Sequence, residues 1–197
     1  MIFNAKLYGL VLSGGKSTRM GEDKGLIAYH DLPQREHLYH LLNEVCDQTF
    51  LSIRKDQKNE IPTHFNTIVD TDQYRGPYNG LLSAHTAYPE VAWLVLACDL
   101  PLMDKNALQD LIAARDSDKI ASAFADENNP LPEPLCAIWE PEALKQSLAY
   151  LEAGNGTCPR KFLINANVNL VIPKNAEVLL NANSREEYEQ ALAKLKV

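Results

Sequence analysis

Three glycines and three cations fall within the thirteen residues 12–24 (LSGGKSTRMGEDK). Glycines let successive backbone N–H groups converge on an anion without obstruction from side chains. Lys16, Arg19 and Lys24 can add charge-assisted bonds to phosphate oxygens. The segment is not a Walker A loop, because the glycine that GxxxxGK needs five residues before Gly15 is Leu10, and Gly9 is one residue out of register. It is not the dinucleotide GxGxxG either. By spacing alone, a phosphate cradle and a plain turn are both open. Its place directly after an apolar run favours the cradle.

That run, residues 7–12 (LYGLVL), has the length and the terminal breaker of a strand buried on both faces. Residues 93–97 (WLVLA) form a second such run, ending at Cys98 and Asp99. Shorter strands are expected at 50–53, 67–69, 120–124 and 135–139. Between them the apolar spacing turns helical. Leu38, Leu41, Leu42 and Val45 stand at i, i+3, i+4, i+7 within a helix expected over 35–48. Further helices are expected at 79–88 and 105–115, and from Pro141 with a Leu144, Leu148, Leu151 stripe. The last helix carries the clearest start signal, with Ser184 and Glu187 as a capping box before Tyr188, Ala191, Leu192 and Leu195. Strand–helix alternation with fully apolar strands predicts an α/β fold. We expect one domain, 1–197: a Rossmann-like three-layer αβα sandwich on a mostly parallel sheet. Ligands in such sheets bind at the carboxyl ends of strands. Ser13, Gly14 and Gly15, and Cys98 and Asp99, are therefore the first places to look. The polar, proline-rich loop 126–134 reads as a lid or as an exposed turn.

The chain has 197 residues, of which 19 are Lys or Arg and 26 Asp or Glu, for a net charge of −7. This balance opposes a nucleic-acid or anionic-membrane binder, which needs a broad basic surface. It leaves room for a small anion held by a local cluster. No run approaches the ~18–20 apolar residues of a membrane span, and residues 1–6 lack the pattern of a signal peptide. A cytoplasmic protein is expected. The four cysteines (46, 98, 136, 158) form no CxxC pair and read as small buried thiols in a reducing compartment. The five histidines show no metal-ligand spacing. His37 and His40, three apart on a helix, read as surface or core-edge residues.

Residues 13–24 closely resemble the GGxSxRMGxDK signature of the MobA-like nucleotidyltransferases, the molybdenum cofactor guanylyltransferases and their relatives. Residues 76–81 (GPYNGL) are similar to that family's GPxxG loop, and residues 98–101 (CDLP) to its CDxP motif. Residues 181–184 (NANS) resemble its asparagine-containing turn. The four motifs stand in the family's order. The resemblance implies a nucleotide-diphospho-sugar transferase type of fold and a Mg²⁺-dependent transfer of GMP from GTP to molybdopterin, with release of pyrophosphate. It assigns Leu12, Ser13, Gly14, Gly15 and Arg19 to the phosphate cradle and Lys24 to the reacting phosphate. Asp99 becomes the Mg²⁺ ligand, which suits a hard cation that takes one or two carboxylates plus substrate phosphates. Arg19, Lys24 and Asp99 form the catalytic set. Asp70 would contact the nucleotide, with Asp72 as a nearby competitor. Gly76, Pro77 and Gly80 would approach guanine and ribose, although Tyr78 and Asn79 depart from the smaller pair usual there. Residues 154–163 resemble a region near the family's pterin site. There Arg160 and Lys161 are either acceptor-phosphate ligands or exposed first-turn residues. Asn181 and Asn183 would orient phosphates or metal-bound water, Asn183 being alternatively a turn residue. The partners implied are GTP and molybdopterin, with transient contact with other molybdenum cofactor enzymes. The alternatives are a sister transferase that uses CTP or another phosphorylated acceptor, and a nucleotide-binding protein without catalysis.

Overall fold

The two apolar runs lie side by side. In the computed structural model, which describes residues 5–15 and 24–195, β1 (Leu7–Leu12) pairs in parallel with β4 (Ala92–Ala97), Leu7 opposite Ala92. On its other edge β1 pairs in parallel with β2 (Gln48–Ile53), and β2 with β3 (Thr67–Val69). Beyond β4 come β6 (Cys136–Trp139), β5 (Ala121–Phe124) and β7 (Val168–Val171). The order is β3-β2-β1-β4-β6-β5-β7, with β6 antiparallel to both neighbours and every other pairing parallel. The sheet is thus mostly parallel, as expected. From β1 the chain moves outward through β2 and β3, then crosses back to β4. The loops after β1 and β4 therefore part in opposite directions and leave a crevice between them.

Both faces of the sheet are covered, which is why its central strands read as continuous apolar runs. Leu7, Val11, Leu51, Leu94 and Leu96 pack against α1 (Gln34–Asn43) and α3 (Lys105–Ala113) through Leu38, Leu42, Leu108 and Leu111. Tyr8, Leu10, Trp93, Val95 and Trp139 face the other way. They pack against α2 (Pro77–Ala87), α4 (Pro141–Glu152) and α5 (Pro159–Ile164) through Leu81, Leu82, Leu144 and Phe162. The three layers are those expected. The final helix, α6 (Arg185–Leu195), forms a small separate cluster in which Ala191 packs with Tyr29 and Ala182. Its capping box forms: the Glu187 backbone N–H donates to Ser184 Oγ at 3.2 Å, and Glu187 Oε2 accepts from the Ser184 N–H at 2.8 Å.

The first helix ends earlier than its apolar stripe suggests. It stops at Asn43, and Gln48 already belongs to β2. Asp47 causes the break: its N–H donates to the Leu7 carbonyl at 2.9 Å, and its carboxylate accepts from the Leu7 N–H at 3.0 Å. A residue clamped to the start of β1 cannot continue a helix, so Val45 lies in the turn. The strand β7 and helix α5 are additions to the expected elements. Cys98 and Cys136 are buried and Cys46 partly so, but Cys158 is exposed, contrary to expectation.

Candidate active site

A cavity of about 390 Å³ opens at the carboxyl ends of β1, β2, β3 and β4. Leu12, Ser13, Gly14 and Gly15 contribute from the end of β1, and Ser52 and Arg54 from β2. Asp70 and Asp72 follow β3, while Cys98 and Asp99 follow β4. Lys24, Gly76, Pro77, Asn79 and Gly80 complete the polar and backbone walls. The sequence-predicted nucleotide residues that fall within the described residues thus share one cavity. Arg19 and the rest of 16–23 lie outside the described residues.

The loop after β1 is anchored where it lines the cavity. The Ser13 N–H and Oγ both donate to the Ser52 carbonyl, at 3.0 and 2.9 Å, and Gln57 Nε2 donates to the Ser13 carbonyl at 3.2 Å. Arg54 Nη1 donates to the carbonyls of Gly14 (3.1 Å) and Gly15 (3.4 Å), and its Nε and Nη2 reach Asp56. This arginine, absent from the sequence assignment, holds the glycine turn by its acceptor side. Gly14 is a steric requirement: a Cβ there would stand 2.6 Å from Asp70 Oδ2. At Gly15 no atom of the described residues lies within 4 Å of such a Cβ.

Asp70 faces Gly14 across this wall and accepts a 2.7 Å bond from Ser52 Oγ. Burial pushes its carboxyl up to about 6, with Asp72 adding to the rise and the Ser52 bond and Arg54 opposing it. Asp72 adopts a left-handed φ of 56° and accepts from Asn79 Nδ2 at 3.2 Å. The Thr71 N–H donates to Ser83 Oγ at 2.9 Å, so the strand end is tied to α2. Gly76 begins that helix with φ 62° and ψ −147°, a conformation essentially confined to glycine, and Pro77 follows at N1. Gly80 allows close packing. A Cβ there would sit 2.3 Å from Ser52 Oγ and 2.7 Å from Leu12 Cδ2. Of the two residues that depart from the smaller pair usual in this loop, Tyr78 is fully buried, its ring 6.5 Å from that of Trp139, while Asn79 lines the cavity.

Asp99 forms the opposite wall. Burial raises its carboxyl above the usual range, Lys24 pulls it back down, and Glu187 pushes it up. Lys24 Nζ donates to Asn183 Oδ1 at 2.6 Å. The Asp99 carboxylate beside space for phosphates suits Mg²⁺, a hard cation that takes one or two carboxylates together with substrate oxygens and water. Among the described residues no group of three or more His, Cys, Asp and Glu is arranged as a protein cage for a metal.

The predicted acceptor residues sit apart. Asn183 reaches the site through Lys24, and Asn181 Nδ2 donates to the Leu179 carbonyl at 3.1 Å. Neither lines the cavity, and neither do Arg160 and Lys161. Arg160, in the first turn of α5, donates through Nε to the Pro132 carbonyl at 3.1 Å and through Nη2 to Glu133. It thereby ties α5 to the loop that leads into cavity-lining Leu135.

Comparison with known proteins agrees with this geometry. The family model described as the MobA-like NTP transferase domain matches residues 9–170. The "Molybdenum cofactor biosynthesis bifunctional protein" of Synechocystis is 40% identical over 185 residues, covering 93% of this chain and 53% of the relative. This chain therefore spans about half the length of that protein. The "Molybdenum cofactor guanylyltransferase" of Ectopseudomonas mendocina is 30% identical over 180 residues, covering 90% of this chain and 87% of its own. Among solved structures, molybdopterin-guanine dinucleotide biosynthesis protein A of Archaeoglobus fulgidus superposes with a TM-score of 0.79. It is 19% identical and covers 96% of this chain and 98% of its own. A strand-end cavity walled by a glycine turn, a lysine and a buried aspartate, with a family match spanning all but the chain's two ends, places this chain in the MobA-like NTP transferase family, as a nucleotidyltransferase.

Proposed function

We propose that this chain transfers GMP from GTP to molybdopterin, or to its molybdenum-loaded form, with release of pyrophosphate. The observation that carries the reading is the single cavity where the glycine turn, Lys24 and Asp99 meet at the switch point of the sheet. The names of the relatives support guanylyl as the transferred group. An oxygen of the acceptor's terminal phosphate attacks the α-phosphorus of GTP. The bond from that phosphorus to the bridging oxygen breaks, and pyrophosphate leaves with the electron pair. The attacking phosphate is already ionised, so the chain supplies position and charge rather than a strong base.

Asp99 would hold Mg²⁺, which when bound offsets the charge of the converging phosphates. Lys24 carries positive charge to the same phosphates, and by sequence Arg19 joins it. Leu12, Ser13, Gly14 and Gly15 cradle the triphosphate. Gly76, Pro77 and Gly80 border base and ribose, and Asp70 contacts the nucleotide. Arg160 and Lys161 receive the acceptor, with Asn181 and Asn183 orienting phosphates. The reading treats 1–197 as one cytoplasmic catalytic unit that takes no nucleic acid and meets other molybdenum cofactor enzymes transiently. Among the described residues no helix is long and apolar enough to cross a membrane. Pyrophosphate release with molybdopterin present tests the reading, with GTP and CTP compared at saturating Mg²⁺. GTP should be strongly preferred. Preference for CTP would make the chain a sister transferase, and tight nucleotide binding without turnover would make it a binding protein.

A further inference from the structure

Asp99 enters the cavity on a turn held from three directions. Its own carbonyl accepts from the Ala182 N–H at 2.8 Å. The carbonyl of Leu100 accepts from Nε2 of fully buried Gln34 at 3.2 Å. The carbonyl of Pro101 pairs with the His30 ring at 2.8 Å. A carbonyl only accepts, so His30 Nε2 carries the proton. Neither Leu100 nor Pro101 lines the cavity, and neither do His30 and Gln34.

The clamp is itself rigid. The His30 ring lies flat on that of His37, with centroids 3.8 Å apart and planes 12° from parallel. The Gln34 N–H donates to the Ile27 carbonyl at 2.8 Å, and Ala28 bridges to Pro33. Between His30 and Gln34, Asp31 takes a left-handed φ of 61° and turns the chain into α1. One stretch, 24–34, therefore begins at Lys24 on the cavity wall and ends on the two carbonyls that follow Asp99.

We propose that His30 and Gln34 are positioning residues. They fix the 99–101 turn relative to Lys24, so that metal affinity at Asp99 depends on two side chains outside the cavity. The inference rests on the reading of Asp99 as the metal-holding carboxylate. Partners behind a metal ligand commonly govern its orientation in this way.

Mn²⁺ binding to the chain of residues 1–197, followed by the paramagnetic resonance of free Mn²⁺, tests it. His30→Phe keeps a flat ring and removes the donor, whereas His30→Gln returns an N–H at similar reach. Gln34→Met removes the Leu100 bond at similar length and stands in if His30→Phe does not fold. His30→Phe and Gln34→Met should each weaken Mn²⁺ binding about tenfold, and His30→Gln should recover most of it. The half-saturating Mg²⁺ for pyrophosphate release should move by the same factor, with kcat retained at saturating metal. Wild-type Mn²⁺ affinity in the folded His30→Phe or Gln34→Met variants overturns the proposal. Asp99→Asn separates the two levels. If it leaves Mn²⁺ binding unchanged, the metal assignment falls and the clamp with it. If it abolishes binding while the clamp variants bind normally, only the clamp falls.

Discussion

Strands β3, β2, β1 and β4 and strands β6, β5 and β7 share one sheet, yet they serve the cavity differently. The first four are parallel, so their carboxyl ends all reach the same edge and each delivers a loop there. Gly14, Arg54, Asp70 and Asp99 are those four deliveries. In the second group β6 alone is reversed, so the residue just before it, Leu135, lines the cavity, while β5 and β7 run with the first four but lie beyond β6. The cations carried there, Arg160 and Lys161, stay off the lining. Position along the sheet thus sorts a nucleotide half, the four adjacent parallel strands, from a supporting half beyond β4. The sharpest way to break this division is Asp99→Asn. The variant keeps shape and burial but loses the charge a metal needs. Turnover should fall by roughly a hundredfold or more, comparable to loss of a preorganised electrostatic group, with the melting temperature near wild type. Mg²⁺-dependent pyrophosphate release at the normal rate would remove Asp99, and β4, from the chemistry.

The next largest effect lies within the first loop. Gly14 and Gly15 are adjacent glycines with different reasons to be glycine. Gly14→Ala drives a Cβ against the Asp70 carboxylate and should cost about 1–3 kcal/mol by overpacking. Gly15→Ala meets no atom of the described residues and should leave stability unchanged, so any loss of nucleotide affinity there reports on room the nucleotide occupies. Thermal unfolding of both variants without ligand, then with GTP, separates the two causes. Equal destabilisation would mean that the Gly14–Asp70 contact is not a constraint.

Asp70 gives a smaller and pH-dependent contrast. Its carboxyl titrates near 6 in the folded chain against 3.8 when free. The folded state therefore binds a proton more readily than the unfolded chain, and stability falls as pH rises from about 4 through 6. Asp70→Asn removes that penalty and keeps an acceptor for Ser52. Above about pH 6 the variant should be more stable than wild type by on the order of 1 kcal/mol, allowing for solvent screening, and the gap should close below about pH 4. A gap independent of pH would assign the effect to packing.

Sequence alone reached the nucleotide half better than the supporting half, for physical reasons. β1 and β4 are covered on both faces, so their apolar runs stand out. β7 is an edge strand with exposed Leu170 and a polar Asn169, which leaves no such run. Ser13, Gly14 and Asp99 were legible because each ends a recognisable strand. Arg54 ends one too, but its bond to the glycine turn exists only because β2 pairs with β1, a pairing no local pattern encodes. The burial of Tyr78 is illegible for the same reason. Tyr78 stands beside the glycine–proline turn, and its burial against Trp139 of β6 depends on a long-range contact that no local pattern encodes.

The smallest effect tests the supporting half directly. Arg160 is held by the Pro132 carbonyl and Glu133, in an ion pair whose arginine is half exposed. Such a pair contributes about 1 kcal/mol at most, so Arg160→Ala should barely shift the melting temperature. Since Arg160 lies off the nucleotide cavity, the KM for GTP should not change. The proposed acceptor role requires the KM for molybdopterin to rise several-fold with kcat unaltered, the pattern of lost uniform binding. A rise confined to the acceptor puts the second substrate on β6, β5 and β7 and gives each half of the sheet one substrate. Unchanged constants for both substrates would leave Arg160 as a tie between α5 and the loop before β6, and would reduce that half to scaffold.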